Sequence, residues 1–264
     1  MEDIKEKIRL LAAQYNNNEY FINDPIIFPK HFTNLYLSSN KADSALSIQN
    51  SIFPSPINYK VELQDIEIAA VFAAHLAWGR RDMIVRDTKR ALDQMNWKPY
   101  QYIKNGIYKN DNTSLHRTIK WSEFAMICSN LKNYYQNNNS LEALSPDEFR
   151  VKIYGQKSDP KMANKKIHML RRWMVRNDGI VDLGLWKNIS PSELIIPLDV
   201  HVHRCALELG ITKRKGADAA TAQEINNFLK QIFPNDPCLG DFALFAYSVS
   251  LRDNLQKSNK VDNI

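Results

Sequence analysis

An aspartate at position 199 has the sequence context of a carboxylate that could do chemistry. Apolar residues lead from Leu194 through a proline to Asp199, and further apolar residues at helical spacing follow until Gly210. This pattern predicts Asp199 as the N-cap of a helix, where backbone N–H groups and the positive helix end favour its ionised form. Such a carboxylate can accept a proton or stabilise a positive charge, or it can serve as a cap alone.

Two histidines, His201 and His203, follow Asp199 in the same segment. On a strand, a His-x-His pair would share one face and suit a metal ion, whereas on a helix the two side chains point about 200° apart. Because a helix is predicted here, we expect no metal site. We also expect no cofactor and no iron–sulfur cluster, since the cysteines are too few and too far apart for a cluster. These cysteines are Cys128, Cys205 and Cys238.

The elements that must position these residues are predicted to be helices. Apolar residues recur at helical spacing along most of the chain, and no sustained two-residue alternation typical of strands occurs. The expected fold class is therefore all-α, with residues 19–60 irregular because four prolines interrupt them. Asp82 and Asp241 are predicted as helix caps. Helices are predicted over residues 4–15, 62–77, 82–95, 97–103, 113–131, 141–153, 163–176, 200–209, 220–233 and 241–250.

Composition is compatible with a globular protein and a charged partner. The chain of 264 residues, 44% of them apolar, can form one globular unit of two interpenetrating lobes over residues 1–264. Its net charge of +6 at pH 7 is compatible with a polyanionic partner. The same charge is also compatible with a protein whose surface charge only maintains its solubility. No signal peptide opens the sequence, and no apolar run approaches the ~20 residues of a membrane span. We therefore expect a cytoplasmic monomer that does not contact a membrane.

Two segments resemble a known superfamily. Residues 197–201 (Pro-Leu-Asp-Val-His) resemble the sequence around the catalytic aspartate of 8-oxoguanine DNA glycosylases, which belong to the helix-hairpin-helix base-excision superfamily. Residues 163–174 resemble the start of the helix that contains the nucleophilic lysine of that superfamily. Most of residues 60–250 are also similar to an uncharacterised bacterial family. The resemblance implies a two-lobed helical bundle of the glycosylase type, with a hairpin-like and catalytic segment over residues 155–210.

The resemblance implies that Lys165 is a nucleophile and Asp199 its acid–base partner. In such chemistry a neutral lysine amine attacks the sugar C1′ and holds the sugar as a Schiff base, while the carboxylate receives a proton and stabilises the cationic sugar. A word-by-word match selects Lys165, whereas helical spacing places Lys166 on the apolar face of the helix. Both lysines stay open at this point. Met169, one helical turn after Lys165, is expected to line the base pocket.

The resemblance also implies contacts with DNA. His201 matches a phosphate-contacting histidine of the superfamily, and Arg204 extends that polar cluster. Trp78, Arg80 and Arg81 fall at an interhelical turn where the superfamily inserts a wedge into the gap left by a flipped base. An ordinary helix corner with solvated arginines is the alternative for this turn.

The predicted hairpin departs from the superfamily pattern. Hairpins of that superfamily usually have a Gly-x-Gly sequence whose backbone amides hold a phosphate. Here residues 156–164 contain no glycine and follow a single Gly155. Lys157 and Lys161, together with the N-terminal amides of the next helix, are the groups expected to bind phosphate instead.

The expected function is therefore excision of a damaged base from duplex DNA, with an oxidised purine as one candidate and with abasic-site lyase activity. Two alternatives from other classes stay open. One is a nucleic-acid-binding protein with the same fold and no catalysis. The other is an unrelated helical enzyme that acts on a phosphorylated small molecule. A wide separation of Lys165 and Asp199 would favour these alternatives.

Overall fold

The computed structural model describes residues 2–39, 52–54, 59–245 and 247–248. Helices dominate, and the only sheet in these stretches is a two-stranded hairpin, so the predicted all-α class is confirmed. Most predicted helices occur within a few residues of their expected ends, because their apolar faces are buried as the 3.6-residue period requires. Among the residues described, no helix is both long enough and apolar enough to cross a membrane.

Two compact units divide the chain. The central unit is the continuous stretch 21–158, and the terminal unit combines residues 1–20 with residues 159–264. The polypeptide therefore starts in the terminal unit, forms the whole central unit, and then returns to the terminal unit.

The central unit is built around an alanine-rich helix that is buried on nearly all sides. Its described elements are α2 (Ile27–Ser39), α3 (Leu63–Leu76), α4 (Arg81–Gln94), α5 (Pro99–Asn105), β1 (Ser114–His116), β2 (Ile119–Lys120), α6 (Trp121–Tyr135) and α7 (Pro146–Lys152). Helix α3 packs against α2, α4 and α5, since its alanines allow close approach. Two buried carboxylates of α3 accept backbone N–H groups of other segments: Asp65 from Tyr100 at 2.8 Å, and Glu67 from Leu141 at 3.0 Å. Such bonds compensate for burying the carboxylates.

Part of the segment predicted to be irregular, residues 19–60, forms α2, so that prediction is wrong for residues 27–39. Pro29 is the third residue of α2 and therefore lies in its first turn. Helix N–H groups in the first turn have no intrahelical acceptor, so the proline costs no hydrogen bond there. Residues 40–51 and 55–58 of the same segment lie outside the described residues.

A β-hairpin replaces the first part of the helix predicted over residues 113–131. Strand β1 pairs antiparallel with β2, and α6 begins only at Trp121. Arg117, at the hairpin turn, has a φ of 55°, which a right-handed helix excludes. Ser114 Oγ donates to the Arg117 carbonyl at 2.8 Å and closes the turn. The strands are too short to produce the alternation by which a sequence indicates a hairpin.

The terminal unit brings the first helix of the chain to helices formed by its C-terminal part. Its described helices are α1 (Glu2–Tyr15), α8 (Lys165–Val175), α9 (Val200–Glu208) and α10 (Ala219–Lys230), and residues 239–245 are also helical. Ile8 of α1 is fully buried, and Lys7 lies 4.2 Å from the ring centre of Tyr247. The largest buried side chains of this unit belong to Trp173 and Trp186. A single core therefore joins α1 to residues that follow it by more than 150 positions.

Candidate active site

Asp199 caps α9, as the sequence predicts. Its backbone is extended (φ −117°, ψ 178°), and its Oδ1 accepts the N–H groups of His201 and Val202, both at 2.9 Å. The approach to the cap is anchored by side chains with almost no exposure, those of Leu194, Ile196 and Leu198. The carboxylate is thereby fixed at the positive end of the helix.

The two carboxylate oxygens of Asp199 have different surroundings. Both capping hydrogen bonds go to Oδ1, and no other hydrogen bond to the Asp199 side chain is found among the residues that the structure describes. The side chain is half-buried, so it is reachable from solvent. Oδ2 can therefore accept a proton or face a cation while Oδ1 continues to cap the helix.

Asp241 is a buried carboxylate of the terminal unit. Asp241 is 3% exposed; its Oδ2 accepts Arg172 Nη1 at 2.9 Å, and its Oδ1 has no hydrogen-bond partner in the described part of the chain. Burial raises the pKa of the Asp241 carboxyl to about 6, while Arg172 lowers it, Asp199 raises it and Lys165 lowers it. The charges of Asp199 and Lys165 thus both act on one buried carboxyl.

Asp241 is a site residue that sequence reasoning missed. Its prediction as a helix cap is wrong, because helical residues begin at 239 and Asp241 lies within the first turn. A signal for its role exists in the sequence. Arg172 and Arg176 are four residues apart on a helix that also contains Trp173, and arginines among apolar residues require carboxylate partners when buried.

Arg172 of α8 and Arg176, the residue that follows α8, form a buried ion network. Arg172 Nη1 lies 2.9 Å from Asp241 Oδ2, and Arg172 Nε lies 3.4 Å from an oxygen of Asp182. The carboxylates paired with Arg176 belong to Asp178, Asp182 and Asp236. Both guanidinium groups also lie over the ring of Phe242, at 4.6 and 4.8 Å. Because buried charges need their partners, this network fixes α8 relative to the segment that contains Asp241.

Arg176→Met should lower the free energy of unfolding by about 3–5 kcal/mol, because the substitution leaves three carboxylates without their shared cation. Urea denaturation followed by circular dichroism measures the loss. The control is Arg9→Met on α1, where an exposed arginine pairs with Glu6 at 3.0 Å. That change should cost about 1 kcal/mol or less. Equal losses in the two variants would contradict the structural importance of the network.

Both candidate lysines, Lys165 and Lys166, lie at the start of α8. Both are half-buried, so exposure does not distinguish them. The positive charge of Lys165 is the last of the influences on the pKa of the Asp241 carboxyl, which it lowers. Met169, one turn after Lys165, is also half-buried. The start of α8 thus combines a lysine and a thioether side chain, both partly accessible.

The histidines of α9 have separate surroundings. His203 is buried, and its Nε2 lies 2.8 Å from the carbonyl oxygen of Arg214. His201 is half-buried, and its Nδ1 lies 3.5 Å from Arg204 Nη2, on an exposed arginine. Because α9 is helical, His201 and His203 do not share a face, which removes the geometry of a His-x-His chelate. Across the described residues, no group of three potential metal ligands is found.

Lys161 lies in the turn before α8 and is exposed. Its N–H donates to Asp159 Oδ1 at 3.0 Å, and its carbonyl accepts the N–H of Ala219, the first residue of α10, at 2.9 Å. The backbone of the turn is therefore held in place, while the exposed side chain is compatible with contact to a phosphate.

The Trp78 turn, residues 78–81, connects α3 to α4 in the central unit. Gly79 has a φ of 98°, a conformation that favours glycine. Nε2 of the buried His116 lies 2.9 Å from the Trp78 carbonyl oxygen, and the Arg117 guanidinium lies 4.2 Å from the centre of the Trp78 ring. The hairpin thus supports the Trp78 turn through His116 and places Arg117 beside it. The helix predicted over residues 113–131 did not indicate this position of Arg117.

Arg80 and Arg81 are exposed, and each has a carboxylate nearby. Arg80 Nη2 lies 2.6 Å from Asp82 Oδ2, and Arg81 Nη2 lies 3.8 Å from an oxygen of Asp24. Helix α4 begins at Arg81 with Arg80 as N-cap, so the prediction of Asp82 as the cap is wrong; its carboxylate pairs with Arg80 instead. Exposed ion pairs contribute little free energy, so a phosphate can replace these carboxylates. Both DNA contact and a solvated corner are compatible with this geometry.

Comparison with known proteins places the chain in a family. Residues 54–159 and 149–250 match the model of the family described as "Protein of unknown function (DUF2400)". The chain belongs to this family. Searches of curated proteins and of solved structures found no match.

The matched residues of this DUF2400 chain include every part of the candidate site. Lys165, Asp199, Asp241 and the Trp78 turn all lie within residues 54–250. The terminal unit thus contains one amine and two carboxylates, those of Lys165, Asp199 and Asp241. Such a set can perform nucleophilic attack coupled to proton transfer.

Proposed function

We propose that this protein is a DNA glycosylase with abasic-site lyase activity, of the helix-hairpin-helix type. The observation that supports the proposal most is that Asp199 caps α9 through Oδ1 alone, which leaves Oδ2 available, in the same compact unit in which Lys165 begins α8. Lys165 and Asp199 are also the pair to which the resemblance assigns catalysis. The proposed substrate is a damaged DNA duplex, and the proposed active form is a cytoplasmic monomer.

In the proposed reaction the neutral amine of Lys165 attacks C1′ of the damaged nucleotide. A bond forms between Nζ and C1′, and the bond between C1′ and the base breaks with its electron pair leaving on the base, which takes up a proton. Asp199 accepts the proton that the amine loses, and its Oδ2 stabilises positive charge on the sugar while Oδ1 keeps the helix cap. The sugar ring then opens to a Schiff base, and loss of a C2′ proton expels the 3′ phosphate.

The target nucleotide must leave the base stack before this attack, because C1′ is otherwise inaccessible. We assign Met169 to the base pocket, since it lies one turn after Lys165 and is partly accessible. We assign contacts with the DNA backbone and with the opened base stack to six exposed or half-buried residues, five with basic side chains and one with an aromatic ring. These residues are Trp78, Arg80, Arg81, Lys161, His201 and Arg204.

Reductive trapping tests the proposal. The full-length protein is incubated with borohydride and a duplex that contains either an abasic site or 8-oxoguanine, with an undamaged duplex as the control. We expect a covalent protein–DNA product with a damaged duplex and none with the undamaged one, because borohydride converts a protein–DNA Schiff base into a stable amine and no Schiff base forms on intact DNA. A wild-type protein that traps on neither damaged duplex contradicts lyase chemistry and favours a nucleic-acid-binding protein without catalysis.

Binding to DNA should depend on the Trp78 turn. We expect the wild-type protein to bind a duplex with an abasic analogue more tightly than an intact duplex, with affinity that falls as salt rises. Arg80→Ala combined with Arg81→Ala should weaken binding and reduce the slope of log affinity against log salt by about 1 for each lost phosphate contact. Fluorescence anisotropy over a salt series measures both quantities.

The matched control removes the same charge from other exposed positions of the central unit. Lys104 and Lys152 are exposed and lie outside the Trp78 turn. Replacing both by alanine should leave the slope of log affinity against log salt unchanged. If the two double variants bind equally well, the turn is a solvated corner and its arginines do not contact DNA.

A further inference from the structure

The loop between α9 and α10, residues 209–218, concentrates positive charge on the surface of the terminal unit. It contains the consecutive residues Lys213, Arg214 and Lys215, all of them exposed, and a single carboxylate, that of Asp218. The resulting net charge of +2 is one third of the charge of the whole chain, although the loop has only ten of the 264 residues. We call residues 209–218 the basic loop.

The backbone of the basic loop is held in place by the helices on both sides. Toward α9, Nε2 of the buried His203 donates to the Arg214 carbonyl oxygen at 2.8 Å, and the Arg214 N–H donates to Thr212 Oγ1 at 3.1 Å. Toward α10, Oγ1 of the fully buried Thr221 donates to the Gly216 carbonyl oxygen at 2.5 Å. A ligand that binds the loop therefore does not have to order its backbone first, which lowers the cost of binding.

The arginine of the basic loop and its two lysines have different surroundings. The Arg214 guanidinium lies 3.0 Å from Asp218 Oδ2, and its Nε donates to Thr221 Oγ1 at 3.0 Å, so its charge stabilises the loop itself. In the part of the chain that the structure describes, no carboxylate oxygen lies within 4.0 Å of the ammonium of Lys213 or of Lys215. These two ammonium groups are therefore available to an anion from outside the chain.

A third lysine, Lys161, lies beside the end of the basic loop. Its carbonyl oxygen accepts the N–H of Ala219, the residue directly after the loop, at 2.9 Å. Its side chain is exposed, and it has no ion pair to a carboxylate within the described ranges. Two segments more than 50 positions apart thus bring three lysines to the start of α10. Their like charges repel one another, and bound anions reduce that repulsion.

Both segments lead directly to the candidate site of the same unit. Lys161 precedes Lys165 by four residues. The basic loop is attached through His203 to α9, and His203 follows the cap Asp199 by four residues, about 6 Å along the helix axis. A ligand that contacts both the lysines and the candidate site must therefore be extended and carry several anionic groups. Duplex DNA has this character, with one negative charge for about every 1.7 Å of its axis.

We propose that Lys213 and Lys215 of the basic loop, together with Lys161, bind the phosphodiester backbone of duplex DNA beside the nucleotide on which Lys165 acts. This inference rests on the proposed function for its choice of DNA as the partner. A lysine ammonium contacts phosphate as a point charge and reads no base. The basic loop therefore fixes the position of the duplex without selecting its sequence.

The salt dependence of binding tests this inference. Lys213→Ala combined with Lys215→Ala should reduce the slope of log affinity against log salt by about 2, because each lysine neutralises one phosphate. Fluorescence anisotropy measures the slope for the full-length protein and a duplex that contains an abasic analogue. Circular dichroism verifies that the variant folds.

Two double variants serve as controls. Lys213→Arg combined with Lys215→Arg keeps both charges and should keep the wild-type slope. Lys187→Ala combined with Lys230→Ala removes the same charge elsewhere in the terminal unit and should also leave the slope unchanged, since Lys230 ends α10 about 16 Å from its first residue. An unchanged slope in the variant with alanine at 213 and 215, or an equal reduction in the Lys187 and Lys230 variant, overturns the inference.

A second measurement uses the wild-type protein alone. Lysines are acetylated with an N-hydroxysuccinimide ester, and the rate at each position is followed by mass spectrometry with and without a saturating amount of the duplex. We expect Lys213 and Lys215 to react severalfold more slowly in the presence of DNA, and Lys187 and Lys230 to react at unchanged rates. Equal rates at Lys213 and Lys215 with and without DNA overturn the inference. Protection by phosphatidylglycerol vesicles but not by DNA would assign the loop to a membrane surface and also overturn it.

The outcomes for this inference and for the proposed function can be distinguished. A wild-type protein that shows the expected salt slope and protection but never traps refutes lyase chemistry and leaves the DNA contact of the basic loop intact. A wild-type protein that traps, with neither the slope nor the acetylation rates dependent on the loop, overturns this inference alone.

Discussion

Replacing Lys165 by glutamine should abolish borohydride trapping on abasic DNA, with a loss of about three orders of magnitude or more. Glutamine has no basic nitrogen, so it cannot form the Schiff base that borohydride reduces. The fold should persist, because Lys165 is the first residue of α8 and glutamine has nearly the same helix propensity as lysine. Gel electrophoresis of the trapped protein–DNA product measures the result, and circular dichroism verifies folding.

Lys166→Gln is the neighbouring control for this experiment. It removes the same charge from the next position of the same helix, and it should trap at the wild-type level. If trapping survives in Lys165→Gln and disappears in Lys166→Gln, the nucleophile is Lys166. If both variants trap normally, neither lysine is the nucleophile.

Asp199→Asn should lower the rate of base excision by about two to three orders of magnitude while leaving the melting temperature close to that of the wild type. The amide oxygen of asparagine can accept the two N–H bonds that Oδ1 accepts now, so the cap of α9 persists. The amide nitrogen that replaces Oδ2 can neither accept a proton nor stabilise a cation. The two quantities are measured by single-turnover kinetics and by thermal denaturation.

A second helix cap in the same unit provides the control for Asp199. Asp218 caps α10 in a similar way, with its Oδ1 accepting the N–H of Thr221 at 2.8 Å. Asp218→Asn should leave both stability and the rate of base excision near the wild-type values. Full activity of Asp199→Asn on a substrate that the wild type processes would show that Asp199 is a cap only.

Local chemistry explains which features could be predicted from the sequence. The cap at Asp199 depends on hydrogen bonds that span two and three residues, so the pattern of Asp199 before an apolar helix contains all that the prediction needs. The helices were predictable for the same reason, since their buried faces repeat at helical spacing. The position of Lys165 at the start of α8 follows from the same periodicity.

Features that depend on distant partners could not be predicted in this way. The bond between Arg172 and Asp241 joins residues 69 positions apart, and no short pattern around Asp241 indicates its partner. The hairpin at residues 114–120 depends on the left-handed backbone of Arg117 and on the buried His116, which apolar spacing does not register. Pro29 led to a wrong prediction for a different reason. A proline disrupts the interior of a helix but not its first turn, and the sequence alone does not show where α2 starts.

The path of the chain through its two units determines an order of events during synthesis. Helix α1 leaves the ribosome before the central unit, yet the other helices of the unit that contains α1 follow only after residue 158. At a typical elongation rate, roughly ten seconds separate the appearance of α1 from that of α8. The central unit, encoded by one uninterrupted stretch, can acquire its structure during that interval, while the apolar face of α1 still lacks the other helices of its unit. A nascent chain stalled before residue 159 therefore exposes that face, and chaperones that recognise apolar segments should bind it there.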